Sequence, residues 1–204
     1  MVDDVLRVGL TGGIACGKTV VRRRLEARGI PTLDADAVVH QLLRSGTAVT
    51  RRIAESFGEG VIAPDGSVDR KALGAIVFGG EKARKKLEAI VHPEVWREIE
   101  RFFEERDRAS DPLAVVDAAL MIETGSHRRY DVLVVVHCPP ELQRERLVVR
   151  DGLSREEAER RIRAQMPIEQ KLAYADFLVD TSGSLEETLK QTDDLATTLQ
   201  RRAG

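Results

Sequence analysis

Residues 12–19 read Gly-Gly-Ile-Ala-Cys-Gly-Lys-Thr, a match to the pattern GxxxxGK[ST] without a gap. No other stretch of the chain restricts its fold so strongly. An apolar run, Val5 to Leu10, precedes it and is interrupted only by Arg7. A helix is predicted from about Gly17 to Arg28, with Val20, Val21 and Leu25 toward a sheet and Arg22, Arg23 and Arg24 toward water. Gly29 stops that helix, and Ile30 to Leu33 reads as a second short strand ending at Asp34. Strand, glycine-rich turn, helix and strand in this order open a parallel α/β sheet.

The remaining pattern extends that sheet. Residues 35–110 carry helical signals and no strong strand, with a turn at Pro64-Asp65-Gly66 and a break expected at His92-Pro93, because proline disfavours the α conformation of its predecessor. This span reads as a helical insertion forming one wall of a cleft. Strand character returns at Leu113 to Val116 and reaches Asp117. Val132 to Val136 has the unbroken apolar character of a central strand buried on both faces. Two charged helices are expected over Glu141–Arg150 and Ser154–Gln165, then a short strand at Phe177–Val179 and an amphipathic helix near Leu185–Leu199. At 204 residues the chain suits one α/β domain with an insertion better than two independent domains.

Composition narrows the partners. Acidic and basic residues nearly cancel, to a net charge of -2, which opposes bulk electrostatic binding of nucleic acid. No apolar run approaches the roughly 18 to 20 residues that span a bilayer, and the start, Met1-Val2-Asp3-Asp4, is acidic rather than signal-like. Cys16 and Cys138 show no metal-ligand spacing and no disulfide framework, so a cytoplasmic setting is expected. No helix offers an unmistakable face to a second copy, and the sequence assigns no oligomeric state.

The loop supplies a nucleotide site. Gly12, Gly13, Ile14, Ala15, Cys16, Gly17, Lys18, Thr19 and Val20 are its candidate residues. Backbone amides from about Gly13 to Thr19 can surround a β-phosphate, Lys18 can bridge β- and γ-phosphates, and the Thr19 hydroxyl can bind Mg²⁺. The chain contains no asparagine, so the Asn-Lys-x-Asp guanine motif of GTP switches is absent. Two readings stand for Asp34: it positions an acceptor hydroxyl and takes its proton, or it caps the following helix. Asp36 falls in the first helical turn, where compensating the helix dipole competes with a ligand role. Most arginines between Glu141 and Arg163 belong to solvated helix faces. Arg146 and Arg150, four apart and just before Asp151-Gly152, share a face and can form a lid that closes over ATP. His92 has either a phosphate contact or a helix-terminal role, and Trp96 either packs or stacks on an acceptor.

The ordered motifs resemble the dephospho-CoA kinase family. Gly9 to Thr19 is similar to that family's GLTGGIGSGKS segment, and Leu33 to His40 to its DAD segment, whose first acid corresponds to Asp34. Asp65 to Arg70, His92-Pro93, Cys138 to Leu147, Arg150 to Ser154 and Arg163 to Met166 continue the likeness, which covers about residues 7–185. The resemblance implies a P-loop kinase-like three-layer fold with a central parallel sheet, a helical acceptor-side region and a helical lid near 141–166. It also implies transfer of the ATP γ-phosphoryl group to the ribose 3'-hydroxyl of dephospho-CoA with Mg²⁺ present. Asp34 would act on the acceptor, and Lys18, Arg146 and Arg150 on the phosphates. The chain departs from the pattern at several points. Ala15 and Cys16 replace the usual glycine and serine, and Val20 stands where threonine is frequent. Asp117 to Glu123 lacks the proline and phenylalanine of DVPLLFE, and Asp180 to Gly183 replaces an Asn-containing turn near adenine.

Overall fold

A computed structural model of the chain describes residues 4–204. The chain forms two compact units: the first runs to Asp34 and resumes at Phe103–Gly204, and the second is Ala35–Phe102.

Five parallel strands build the first unit: β1 (Leu6–Gly12), β2 (Thr32–Asp34), β3 (Leu113–Asp117), β4 (Val132–His137) and β5 (Phe177–Asp180), in the order β2-β3-β1-β4-β5. Helices α1 (Lys18–Ala27) and α9 (Leu185–Ala203) cover one face. Their Val21, Leu25, Leu195 and Leu199 pack with Val8, Leu10, Val134 and Val136 of the sheet. On the other face Leu133 and Val135 pack with Met121, Ile122 and Ile168, the last from α8 (Ile168–Leu172). Alternate residues of β4 therefore serve opposite layers, which explains why Val132 to Val136 is apolar throughout. The expected three-layer parallel fold is present.

The guanidinium carbon of Arg7, the one charge in the apolar run of β1, lies 4.7 Å from the centre of the Phe103 ring. Two charged helices follow β4, α6 (Pro140–Asp151) and α7 (Arg155–Arg163). Gly152 between them adopts φ 65°, and Ser154 caps α7 in a reciprocal box with Glu157.

The second unit contains α2 (Ala35–Leu42), α3 (Ala48–Phe57), α4 (Arg70–Phe78) and most of α5 (Glu81–Arg108). Val49, Ile53, Leu73, Ile90 and Val91 form its core. Thr47 caps α3 by accepting from the Thr50 N–H, and Asp69 caps α4 by accepting from the Lys71 and Ala72 N–H groups.

The break expected at His92-Pro93 does not occur, because α5 runs continuously through Pro93. An interior proline costs about 3 kcal/mol. Burial of Ile90 and Val91 immediately before it opposes that loss, each apolar side chain contributing roughly 1.5–3 kcal/mol.

Candidate active site

The turn after β1 delivers its residues to the carboxyl edge of the sheet, beside the ends of β2 and β3. Close packing is built in at Gly12, where an added Cβ would strike the Val136 carbonyl oxygen. Gly17 takes a left-handed φ of 79° and opens α1 with no side-chain cap. Ala15 also lies in the left-handed region, at φ 58°, where glycine would sit without a steric cost.

Long-range side chains hold this loop from three directions. Gln165 Oε1 accepts from the Ile14 N–H at 2.8 Å, while Gln143 Nε2 donates to the Ile14 carbonyl at 3.0 Å. Arg146 Nη1 donates to the Ala15 carbonyl at 3.3 Å and to Thr181 Oγ1 at 3.0 Å, and its Nη2 donates to the Thr181 carbonyl at 2.6 Å. Thr181 Oγ1 in turn donates to the Cys16 carbonyl at 2.9 Å. Arg146 is thus joined both to the loop and to the end of β5.

Register brings the acids together: Leu10 lies level with Asp117, and Asp34 level with Asp117 on the next strand. Lys18 Nζ donates to Asp117 Oδ1, and Arg22 Nε lies 3.3 Å from Asp117 Oδ2. The same guanidinium places Nη2 3.4 Å from Asp34 Oδ2 and donates from Nη1 to Glu26 at 2.6 Å. Lys18 and Arg22 are four apart on α1, so one helix face presents both cations to Asp117, and Arg22 reaches Asp34 as well. Arg22 was expected to reach water, and the structure turns it to this cluster instead. Asp117 is buried at 2% exposure, and burial pushes its pKa above the ordinary carboxylate value while the Lys18 ammonium pulls the other way.

Other candidates are placed differently. Thr19 is exposed in the first turn of α1, and Val20 is half-buried beside it. Arg150 is exposed and donates from Nε and Nη2 to Asp151 at 2.7 and 2.9 Å. Asp36 and His92 are exposed on α2 and α5 of the helical unit. Among the described residues, no group of three or more His, Cys, Asp or Glu side chains gathers at metal-binding distances. No helix there is long and apolar enough to cross a membrane.

Sequence reasoning missed Arg22, Gln165 and Lys171. Lys171 is fully buried, with Nζ 2.8 Å from Glu123 Oε1 and 3.0 Å from the Ala119 carbonyl that it donates to. Thr11 Oγ1 donates to that same carbonyl at 3.2 Å, so the segment following Asp117 is anchored at both ends.

The pattern of the dephospho-CoA kinase family matches residues 6–187. The chain belongs to that family. Curated relatives named dephospho-CoA kinase include one from Aquifex aeolicus, 42% identical over 96% of this chain and 98% of its own. Another, from Geobacter sulfurreducens, is 45% identical over 92% and 95%. The structure is similar to that of a Thermus thermophilus protein, with TM-score 0.84, 35% identity and coverage of 96% and 98%. A dephospho-CoA kinase from Campylobacter jejuni aligns with TM-score 0.73 at 27% identity, over 96% of this chain and 98% of its own. An Acinetobacter baumannii shikimate kinase, at TM-score 0.52 and 20% identity, shares the fold.

Proposed function

We propose that this chain transfers the γ-phosphoryl group of ATP to the ribose 3'-hydroxyl of dephospho-CoA, giving coenzyme A and ADP in the cytoplasm. Membership of the dephospho-CoA kinase family supports the acceptor. The observation that carries the chemistry is the run Lys18, Asp117, Arg22 and Asp34 across the carboxyl edge of the sheet.

Each residue then has a distinct task. Loop amides from Gly13 to Thr19 bind the phosphates, and Lys18 supplies the charge that meets the β- and γ-oxygens. Asp117 fixes the Lys18 amine, and Arg22 holds the Asp34 carboxylate in place. Asp34 orients the acceptor hydroxyl and receives its proton as the oxygen bonds to phosphorus. Arg146 holds the loop in shape and offers charge beside it. Arg150 joins the site when the lid, residues 141–166, closes, exchanging Asp151 for phosphate. The helical insertion, residues 35–110, provides the acceptor side.

Mg²⁺ fits the donors present. It retains several waters and needs only one or two oxygen ligands from protein, and here the Thr19 hydroxyl would hold it. Bound there, it would offset charge on the β- and γ-phosphates.

The test is ADP release with a panel of acceptors, followed by product mass and phosphorus NMR. Dephospho-CoA is expected to support rapid ATP-dependent transfer, with the new phosphate on the 3'-oxygen. Efficient phosphorylation of another alcohol, with none of dephospho-CoA, would overturn the reading.

A further inference from the structure

Cys16 and Cys138 lie far apart in sequence, one inside the phosphate loop and the other directly after β4. In the fold their Sγ atoms are 3.6 Å apart, and both side chains are buried. The Cys138 thiol donates toward Cys16 Sγ, and Gln143 Nε2 donates to the same sulfur at 2.9 Å. Arg146 Nη1 lies 3.6 Å from Cys138 Sγ. Two donors aimed at one sulfur favour its thiolate. The hydrogen bond from Cys138, opposed by burial, holds the Cys16 pKa down to about 7. That same bond, together with burial, pushes Cys138 up. The pair therefore contains a nucleophile and a neighbouring thiol that keeps its proton.

We propose that Cys16 and Cys138 form a reversible disulfide, made by hydroperoxide oxidation, that switches the phosphate loop off. The Cys16 thiolate attacks one peroxide oxygen and the O–O bond breaks. The departing hydroxide takes up a proton as water, leaving Cys16 as a sulfenic acid. Cys138 sulfur then attacks Cys16 sulfur, the S–O bond breaks, and the second hydroxide leaves as water with the Cys138 thiol proton. Two thiols and one hydrogen peroxide thus give one disulfide and two waters. Hydrogen peroxide is uncharged and close to water in size, which suits it to a buried pair.

Disulfide sulfurs sit about 2.05 Å apart, so the pair must close by roughly 1.5 Å. Cys16 is bracketed by loop residues whose amides must surround phosphate, and its own carbonyl accepts from Thr181. A displacement of about 1 Å in such a site is enough to lower turnover by up to ~10²-fold.

The reduced full chain should be treated with hydrogen peroxide, blocked at its remaining thiols under denaturing conditions, digested and analysed by mass spectrometry. A peptide cross-linked through Cys16 and Cys138 is expected. ATP affinity and transfer to dephospho-CoA should fall together, transfer by about tenfold or more, and dithiothreitol should restore both. Cys138→Ser should retain transfer when reduced and form no cross-link. Its Cys16 should proceed to sulfinic acid, a loss that dithiothreitol does not reverse. Absence of the cross-link, or a quantitative cross-link with ATP affinity and transfer unchanged, would overturn the switch. Because cross-linking and ATP affinity need no acceptor, a wrong acceptor assignment would show separately.

Discussion

In the sheet unit the buried polar residues include Asp117, Gln143, Lys171 and Thr181, each joined to the phosphate loop or to the segment after β3. In the helical unit the buried polar residue is Thr50, whose hydroxyl donates to the Arg44 carbonyl at 2.7 Å. Ion pairs of that unit, such as Lys85–Glu81 and Arg84–Glu88, lie on exposed helix faces and add little stability. Burying a charge carries an effective penalty of several kcal/mol unless it is paired. One unit meets that penalty around a single edge of the sheet, and the other is held by apolar packing. Charge has been gathered beside the glycine-rich loop that is proposed to bind phosphate.

The contrast is broken most directly at Lys18. Lys18→Ala removes the charge proposed to act on the phosphates in both the ground and transition states, and kcat/KM should fall by roughly 10³-fold. It also strips the buried Asp117 of a partner. Transfer kinetics beside a melting curve would check this, and turnover within a few-fold of wild type would detach the loop from the chemistry.

Ile53→Ala tests the opposite side. Ile53 is fully buried in the helical unit, so truncation should cost about 2–5 kcal/mol of stability. ATP affinity, measured where the variant is still folded, should not change. Denaturant unfolding and nucleotide titration of one preparation separate the two effects.

Arg146 and Arg150 show the same contrast within α6, one bonded to the loop and the other exposed. Arg146→Ala should lower transfer on the order of 10-fold to 10²-fold and also lower Tm, since its hydrogen bonds to Ala15 and Thr181 are lost. Arg150→Ala removes only an exposed pair with Asp151, so Tm should hold while transfer falls. Lysine should restore each only in part, because a point charge does not reproduce the planar fork. Unchanged transfer in Arg150→Ala would take it out of the lid.

The smallest effect is expected at Ser184. Ser184→Ala removes half of the capping box of α9 and should lower Tm by a few degrees with transfer intact. Its partner Glu187 is held below the ordinary carboxylate value by the Ser184 backbone N–H and hydroxyl. The folded form therefore binds that proton less readily than the unfolded form. This contribution is complete above the unfolded pKa and is lost as pH falls through the folded one. The melting difference between wild type and Ser184→Ala should accordingly shrink in acid.

These residues also show which features a sequence exposes. The phosphate loop was legible because its glycines and Lys18-Thr19 are fixed by local geometry, and β4 because both its faces are buried. Asp34 and Asp117 were visible as acids ending strands. Arg22 was grouped with Arg23 and Arg24, although its position four residues after Lys18 puts it on the same face of α1, because the acids it meets arrive from strands distant in sequence. Lys171 looks like any helical lysine between Gln170 and Leu172, and its burial depends on Glu123, 48 positions earlier. Pro93 marked a helix end that packing overrode. Local rules reached the loop and the strands, while pairings across long sequence separations came only with the fold.

In the proposed reaction Asp34 acts on the acceptor rather than shaping the start of α2. Asp34→Asn keeps nearly the same volume and can still cap a helix, yet it loses the carboxylate proposed to receive the hydroxyl proton. Single-turnover transfer from ATP to dephospho-CoA should be measured with this variant, alongside ATP affinity and Tm on the same preparation. The expected result is a rate lower by about 10²-fold or more, with ATP affinity and Tm close to wild type. Wild-type transfer by the folded variant would contradict it, and a parallel loss of Tm, ATP affinity and rate would place Asp34 in the scaffold instead.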